Sequence, residues 1–221
     1  MNRKVWGYSK LSIGFVVLFL FPFLAGCGEI EGSGVDKSEE RKLSEFSSIE
    51  ANGAFSFEIA CGESPFFEIT GDDNLVPLIK TDIQNSQLKI STEKPISPKN
   101  GIRIKIKTGG LKKISFLGAH KAKITGVKEE KFVAEMTGAT KLEILGEAQA
   151  GIFSLNGAGD LAAKDFKTVS TWIEVNGAGR AELFATEELN ATVNGAGKID
   201  YYGEPKNVKP LINGIGKITK K

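Results

Sequence analysis

The sequence predicts an all-β protein wound as a parallel β-solenoid with coils of about 19–20 residues, and three observations lead there. First, a nine-residue pattern recurs without gaps six times in the second half of the chain. Its leading glycines are Gly118, Gly138, Gly157, Gly177, Gly195 and Gly214, spaced 20, 19, 20, 18 and 19 residues apart. Second, apolar and polar residues alternate with period two after each glycine, as in a strand with one buried face. Third, no segment between the glycines is long enough for a crossover helix. A period near 19 is also too short for helical repeats of the tetratricopeptide or ankyrin kind, which need about 33 residues.

Residues 1–10 carry Arg3, Lys4 and Lys10 and no acid, and residues 11–24 are almost wholly apolar. That run is shorter than the roughly 20 residues a spanning helix requires, and Pro22 interrupts it. Leu24, Ala25, Gly26 and Cys27 follow. Residues 1–26 therefore read as a signal peptide. Leu24-Ala25-Gly26-Cys27 resembles the lipobox of bacterial lipoproteins. The resemblance implies that the Cys27 thiol is acylated, that the chain is cut before it, and that acyl chains such as palmitate hold the protein to a membrane. Each buried methylene contributes about 0.8 kcal/mol, so two or three chains anchor stably without a spanning helix. Gly28, rather than an aspartate, after Cys27 suits delivery to an outer membrane.

Removing residues 1–26 takes away three of the 29 basic residues and none of the 27 acidic ones, leaving a net charge of −1. A near-neutral chain without a basic block offers no electrostatic case for nucleic acid. Residues 27–45 are polar and charged, with Ile30, Val35 and Leu43 as the only aliphatic side chains, and read as a lipidated N-terminus and flexible tether. With Cys27 lipidated, Cys61 has no disulfide partner and reads as a small apolar filler. His120 is the only histidine, so no metal site or cofactor is expected, and it reads as a solvent-facing corner residue.

The folded part is read as residues 46–221. A seventh copy of the pattern begins it at Asn52-Gly53, 65 residues before Gly118. Residues 66–70, 87–91 and 102–107 read as strands, and residues 72–80 hold one short helical turn. This region is expected to supply the opening coils and a cap over the apolar end. From Gly118 onward each repeat is two or three short strands joined by tight turns. The corners Gly157-Ala158-Gly159, Gly177-Ala178-Gly179, Gly195-Ala196-Gly197 and Gly214-Ile215-Gly216 carry two glycines each, which permits positive φ and close approach of neighbouring coils. Asn52, Asn156, Asn176, Asn194 and Asn213 share one column. Two readings fit them: stacked side-chain hydrogen bonds along the solenoid, or simple tolerance of a turn conformation. Lys217, Lys220 and Lys221 are expected to protect the last edge from further strands.

These corners resemble the bacterial head GIN domain, a family described as auto-transporter adhesins. Leu75-Val76-Pro77-Leu78-Ile79, the strand at Leu88-Lys89-Ile90, and Tyr202-Gly203-Glu204-Pro205 before the last repeat add to the likeness. The resemblance covers residues 46–221 and implies a right-handed, single-stranded parallel β-helix on an exported chain. Leu117 and Thr137 depart from it where other copies have Asn, as do His120 and Thr140 where others have Gly.

Searches for chemistry return little. The corner glycines lack the spacing and context of a phosphate loop, and neither a Gly-x-Ser-x-Gly elbow nor a His-Glu-x-x-His motif occurs. Glu182 and Asp200 are column neighbours beside Arg180 and Lys198, which reads as a solvated charge ladder. Trp172 and Tyr202 are expected to point outward as candidate binding aromatics. The leading functional expectation is an envelope lipoprotein, held to the membrane by its lipid, that acts as a non-catalytic adhesin-like module for a protein or glycan ligand. A structural envelope component acting by self-association is the alternative, and a carbohydrate-active β-helix enzyme the second.

Overall fold

The computed structural model describes residues 28–221; the segment read as a signal peptide and the lipidation expected at Cys27 lie outside them. The chain runs through β1 (Ile30–Glu31), β2 (Asp36–Glu40), β3 (Ser48–Gly53), β4 (Ser56–Cys61) and β5 (Phe66–Asp72). A 3-10 turn at Val76–Leu78 leads to β6 (Ile79–Gln84), β7 (Gln87–Thr92), β8 (Ile96–Ser97) and β9 (Arg103–Thr108). The repeats supply β10 (Lys113–Gly118), β11 (Lys121–Gly138), β12 (Lys141–Gly157), β13 (Asp160–Ala163) and β14 (Phe166–Gly177). The last coils are β15 (Arg180–Phe184), β16 (Glu188–Gly195), β17 (Lys198–Tyr202), β18 (Asn207–Gly214) and β19 (Lys217–Lys220).

Together they form a parallel β-solenoid, with about five turns between Gly118 and Gly214. One sheet holds the strands before each glycine corner, the other the strands after it. All seven corners stand in register: Gly53 beside Gly118, then Gly138, Gly157, Gly177, Gly195 and Gly214.

The corner explains its own sequence. Each leading glycine has a φ between +112° and +138°, a region that side chains other than glycine rarely enter. A Cβ on any of the last six would fall within 2.7 Å of the glycine carbonyl oxygen one coil below. That oxygen instead accepts a hydrogen bond from the next corner: the Ala119 amide to Gly53 at 2.9 Å, Ala139 to Gly118 at 2.9 Å, Ala158 to Gly138 at 3.0 Å. Backbone groups that a turn leaves unpaired are thus satisfied between coils.

The second corner position has a different logic. Gly159, Gly179, Gly197 and Gly216 do not have positive φ; they face inward, Gly197 against Val175 and Val193. In the first three corners the same inward place holds Phe55, His120 and Thr140, all buried. Side chains in this column shrink from phenylalanine to glycine along the solenoid. His120 is therefore not solvent-facing. It is 2% exposed, with its ring centroid 5.1 Å from Phe116, 5.7 Å from Phe55 and 5.8 Å from Phe57.

The opening of the chain departs further from a simple winding. β7 lies parallel on β3 and β9 lies parallel on β4, so residues 87–108 form a coil beneath the first one although they follow it in sequence. The chain then crosses back and β10 settles on the other side of β3. Below that coil the sheets end in antiparallel strands: β5 on β9, β2 on β5, and β6 on β7 through a turn with Asn85 and Ser86 at positive φ.

The segment read as a flexible tether belongs to this cap. β1 pairs with β8, and β2 is the outermost strand on β5. Asp72, fully buried, accepts hydrogen bonds from the amides of Gly34 (2.7 Å), Lys99 (3.0 Å) and Asn100 (3.3 Å) and so pins the incoming chain. Arg41 reaches from Glu39 to the carbonyls of Ile79 (2.7 Å) and Val76 (3.2 Å), joining β2 to β6. The polar composition that imitates a tether serves an edge strand, where charge discourages further pairing. Only Gly28 and Glu29 precede the first strand among the described residues.

Candidate functional site

A concave groove of about 1030 Å³ runs along the sheet that follows the corners. Its floor is set by strand pleating, which sends alternate side chains outward in two parallel columns. The first column reads Arg103, Ser56, Lys121, Lys141, Asp160, Arg180, Lys198, Lys217, each in register with the next. Two residues further on, the second reads Lys105, Glu58, Lys123, Glu143, Ala162, Glu182, Asp200, Thr219. The first column is dominated by cations; the second is mixed, and acidic toward the C-terminal end.

Several of these charges neutralise one another. Lys123 and Glu143 stand 2.8 Å apart, and Lys141 and Asp160 3.8 Å apart. Asp200, with its side chain 10% exposed, is held by Lys198 and by Lys221 at 3.8 Å. Among the described residues Lys121, Arg180 and Lys217 in the first column, and Lys105, Glu58 and Glu182 in the second, have no ion-pair partner. The groove therefore presents uncompensated groups of both signs at strand spacing. Glu182 and Asp200 are register neighbours, as the sequence indicated, and Asp200 is paired with Lys198 and lies 3.8 Å from Lys221.

Asparagines line the opposite side of the corner. The Nδ2 group of Asn176 donates to Oδ1 of Asn156 at 2.8 Å, Asn194 to Asn176 at 2.7 Å, and Asn213 to Asn194 at 2.8 Å. Asn52 stands outside this ladder because its neighbour in register is Leu117. Trp172, 39% exposed, sits on the sheet before the corner between Ile152 and Asn190. Tyr202, half-buried, lies on the other sheet beside Phe184. The fold does not bring the two aromatics together, and neither lines the groove.

Two buried titratable groups serve the core. Burial pushes the Cys61 thiol up to about 11, with nearby Glu129 adding to the shift, as suits an inert filler. Burial also lowers the pKa of His120, against the opposing effect of nearby carbonyls including that of Leu117, so the ring is held neutral. Sequence reading missed the groove and the Asp72 latch. The groove was present as two charged columns, but periodicity alone does not reveal that their face is concave.

The sequence pattern of the family described as "Putative auto-transporter adhesin, head GIN domain" matches residues 45–205. No curated protein matches the chain. Among solved structures, a "putative adhesin" from Bacteroides fragilis is similar at 24% identity, with a TM-score of 0.72 over 87% of this chain and 100% of the other. A "putative adhesin" from Parabacteroides merdae is similar at 20% identity, with a TM-score of 0.55 over 87% and 99% of the two chains. A "putative lipid binding protein" from Parabacteroides distasonis follows at 20% identity, a TM-score of 0.51 and the same coverage. These likenesses show the fold, and the matched pattern spans most of the sequence: the chain belongs to the head GIN domain family.

Proposed function

We propose that the protein is a non-catalytic, adhesin-like module held at the cell envelope, on the outer membrane, by a lipid on Cys27, and that the charged groove is its binding face. The observation that carries this reading is the groove itself, a long open surface with register-aligned charges and uncompensated Lys121 and Arg180. Such a surface suits an extended, repeating ligand, a glycan chain or a protein segment, whose groups meet fixed charges at successive rungs. The family description and the adhesin-like neighbours support a binding role. The basic, apolar and small-residue run ending in Cys27 supports the anchor.

A glycan array and a pull-down from envelope extract, each run with the unaltered protein and with a Lys121→Glu/Arg180→Glu variant, test the binding face. Binding lost in the variant while its circular dichroism and Tm hold supports the groove; binding unchanged removes it. The anchor is tested separately, because Cys27→Ser abolishes labelling by a palmitate analogue if the lipobox is read correctly. Protease treatment of intact cells then separates outward display, in which the domain is digested, from a periplasmic position, in which it is protected.

A further inference from the structure

The two ends of the solenoid are built differently. At the opening end the outer strands are β2, with Asp36, Lys37, Glu39 and Glu40, and β6, with Lys80 and Asp82, and Arg41 closes the space between them. At the other end β18 pairs only with β16, and β19 only with β17, among the described residues. Their outer backbone groups face solvent.

The columns show what this second end is made for. Three residues before each leading glycine stand Glu50, Ser115, Glu135, Ser154, Glu174 and Thr192, all polar, and then Leu211. Immediately after each leading glycine stands alanine, at positions 54, 119, 139, 158, 178 and 196, and then Ile215. Both outward columns turn strongly apolar only in the last coil. Leu211 is 53% exposed, Ile215 is 90% exposed, and Ile212, from the inward column, is 43% exposed with no coil above it among the described residues.

We infer that this end docks a second copy of the chain, end to end about a two-fold axis. Self-pairing is favoured over stacking in file because the opposite end offers charged edge strands and a sealing arginine, a poor match for Leu211 and Ile215. A two-fold contact instead sets each apolar cluster against its own image and gives the unpaired strands of β18 an antiparallel partner. Like-charge repulsion does not oppose it. Lys206, Lys209, Lys220 and Lys221 fold back onto Glu187, Glu188, Glu204 and Asp200, leaving Lys217 as the one lysine of the final coil without an ion partner among the described residues. Lys217 and Pro210, which has no amide to donate, are the groups of these edge strands that limit further pairing.

The geometry gives the contact a function, which rests on the anchoring reading above. Residue 28 enters at the capped end, and the nine-strand sheet before the corners places β18 about 38 Å away at roughly 4.8 Å per strand. Two copies joined tip to tip point their N-termini in opposite directions. Copies on facing surfaces would then hold those surfaces together, a homotypic adhesive contact.

The test uses the full chain, produced and processed in a bacterial host and purified in detergent. Sedimentation over a concentration series is expected to show a monomer–dimer equilibrium. The Leu211→Thr/Ile215→Ala variant restores residues that these columns hold elsewhere in the same protein, so its Tm is expected to hold while its dissociation constant rises by about tenfold or more. A monomer at every concentration, or a dimer unaffected by the variant, overturns the contact. Vesicles carrying the chain are then expected to cluster with the unaltered protein and to stay dispersed with the variant. Chain that dimerises but does not float with vesicles refutes the anchor and leaves the tip contact standing; chain that floats as a monomer does the reverse.

Discussion

Residues 30–110 and residues 113–220 share one core but hold it by opposite rules. The later region repeats a single device, a glycine corner whose carbonyl accepts a hydrogen bond from the next coil, so that the corners are joined to one another through backbone groups. The earlier region leaves chain order behind, inserts a coil beneath the first, and closes the end with antiparallel strands tied by Asp72 and Arg41. Repetition suffices where each coil has a neighbour on both sides. An end requires individual polar contacts: hydrogen bonds of Asp72 and Arg41 close the first, and lysine–carboxylate pairs on the surface tie down the last coil.

That contrast can be broken most severely at a corner. Gly157→Val puts a branched side chain at a φ of +126° and drives its Cβ into the Gly138 carbonyl, with no flexible atom to give way. We expect a loss of about 3 kcal/mol or more, read as a fall in chemical-denaturation midpoint, or failure to fold. Asp72→Asn attacks the other rule. It removes the charged acceptor shared by Gly34, Lys99 and Asn100, so amide exchange should accelerate across residues 30–40 while the coils beyond Gly118 stay protected. Burial acting alone would raise the pKa of Asp72, but the backbone donors outweigh it and the group is held below the usual carboxylate range. The stability it contributes is therefore present above the unfolded carboxylate pKa and lost as pH falls through the lower folded one.

His120 sits where the two regions meet and gives a pH signature of the same sign in a higher pH window. Its folded pKa is depressed below 6.5 because the ring is buried neutral, so below that pH the unfolded chain takes up a proton that the folded one does not. Stability should decline as pH drops from about 6.5 toward the folded pKa, and a His120→Phe variant should lose that part of the slope in a Tm-against-pH series. The smallest effect is expected in the ladder. Asn176→Ala breaks hydrogen bonds to Asn156 and Asn194 on a half-buried edge and should cost about 1–2 kcal/mol by denaturant titration.

The regular coils were legible because strand pleating converts a column in the sequence directly into a face of the molecule. The positions of Ile124, Leu142, Leu183 and Ile199 could be assigned to the interior from period two alone, and they are buried. His120 was not legible, since most copies have glycine at that place and glycine has no side chain to show which way the position points. The pairing of β7 and β9 beneath β3 and β4 was hidden for another reason: it joins segments about 40 residues apart, and no local pattern records which strand lies beneath which. The N-terminal strands were masked by composition, because a charged edge strand and a solvated linker draw on the same residues. The groove was half visible, its charges in the columns and its concavity only in the fold.

Alignment of the corners along one edge is the claim beneath all of this, and spin-label distances measure it directly. With both cysteines replaced, labels at Ala54 and Ala196 span five rungs, although a 65-residue gap separates Ala54 from Ala119. A separation near 24 Å is predicted, shortening to about 19 Å when the second label moves to Ala178, at roughly 4.8 Å per rung. Distances that follow sequence separation instead, or that fail to step evenly from Ala178 to Ala196, would contradict the account.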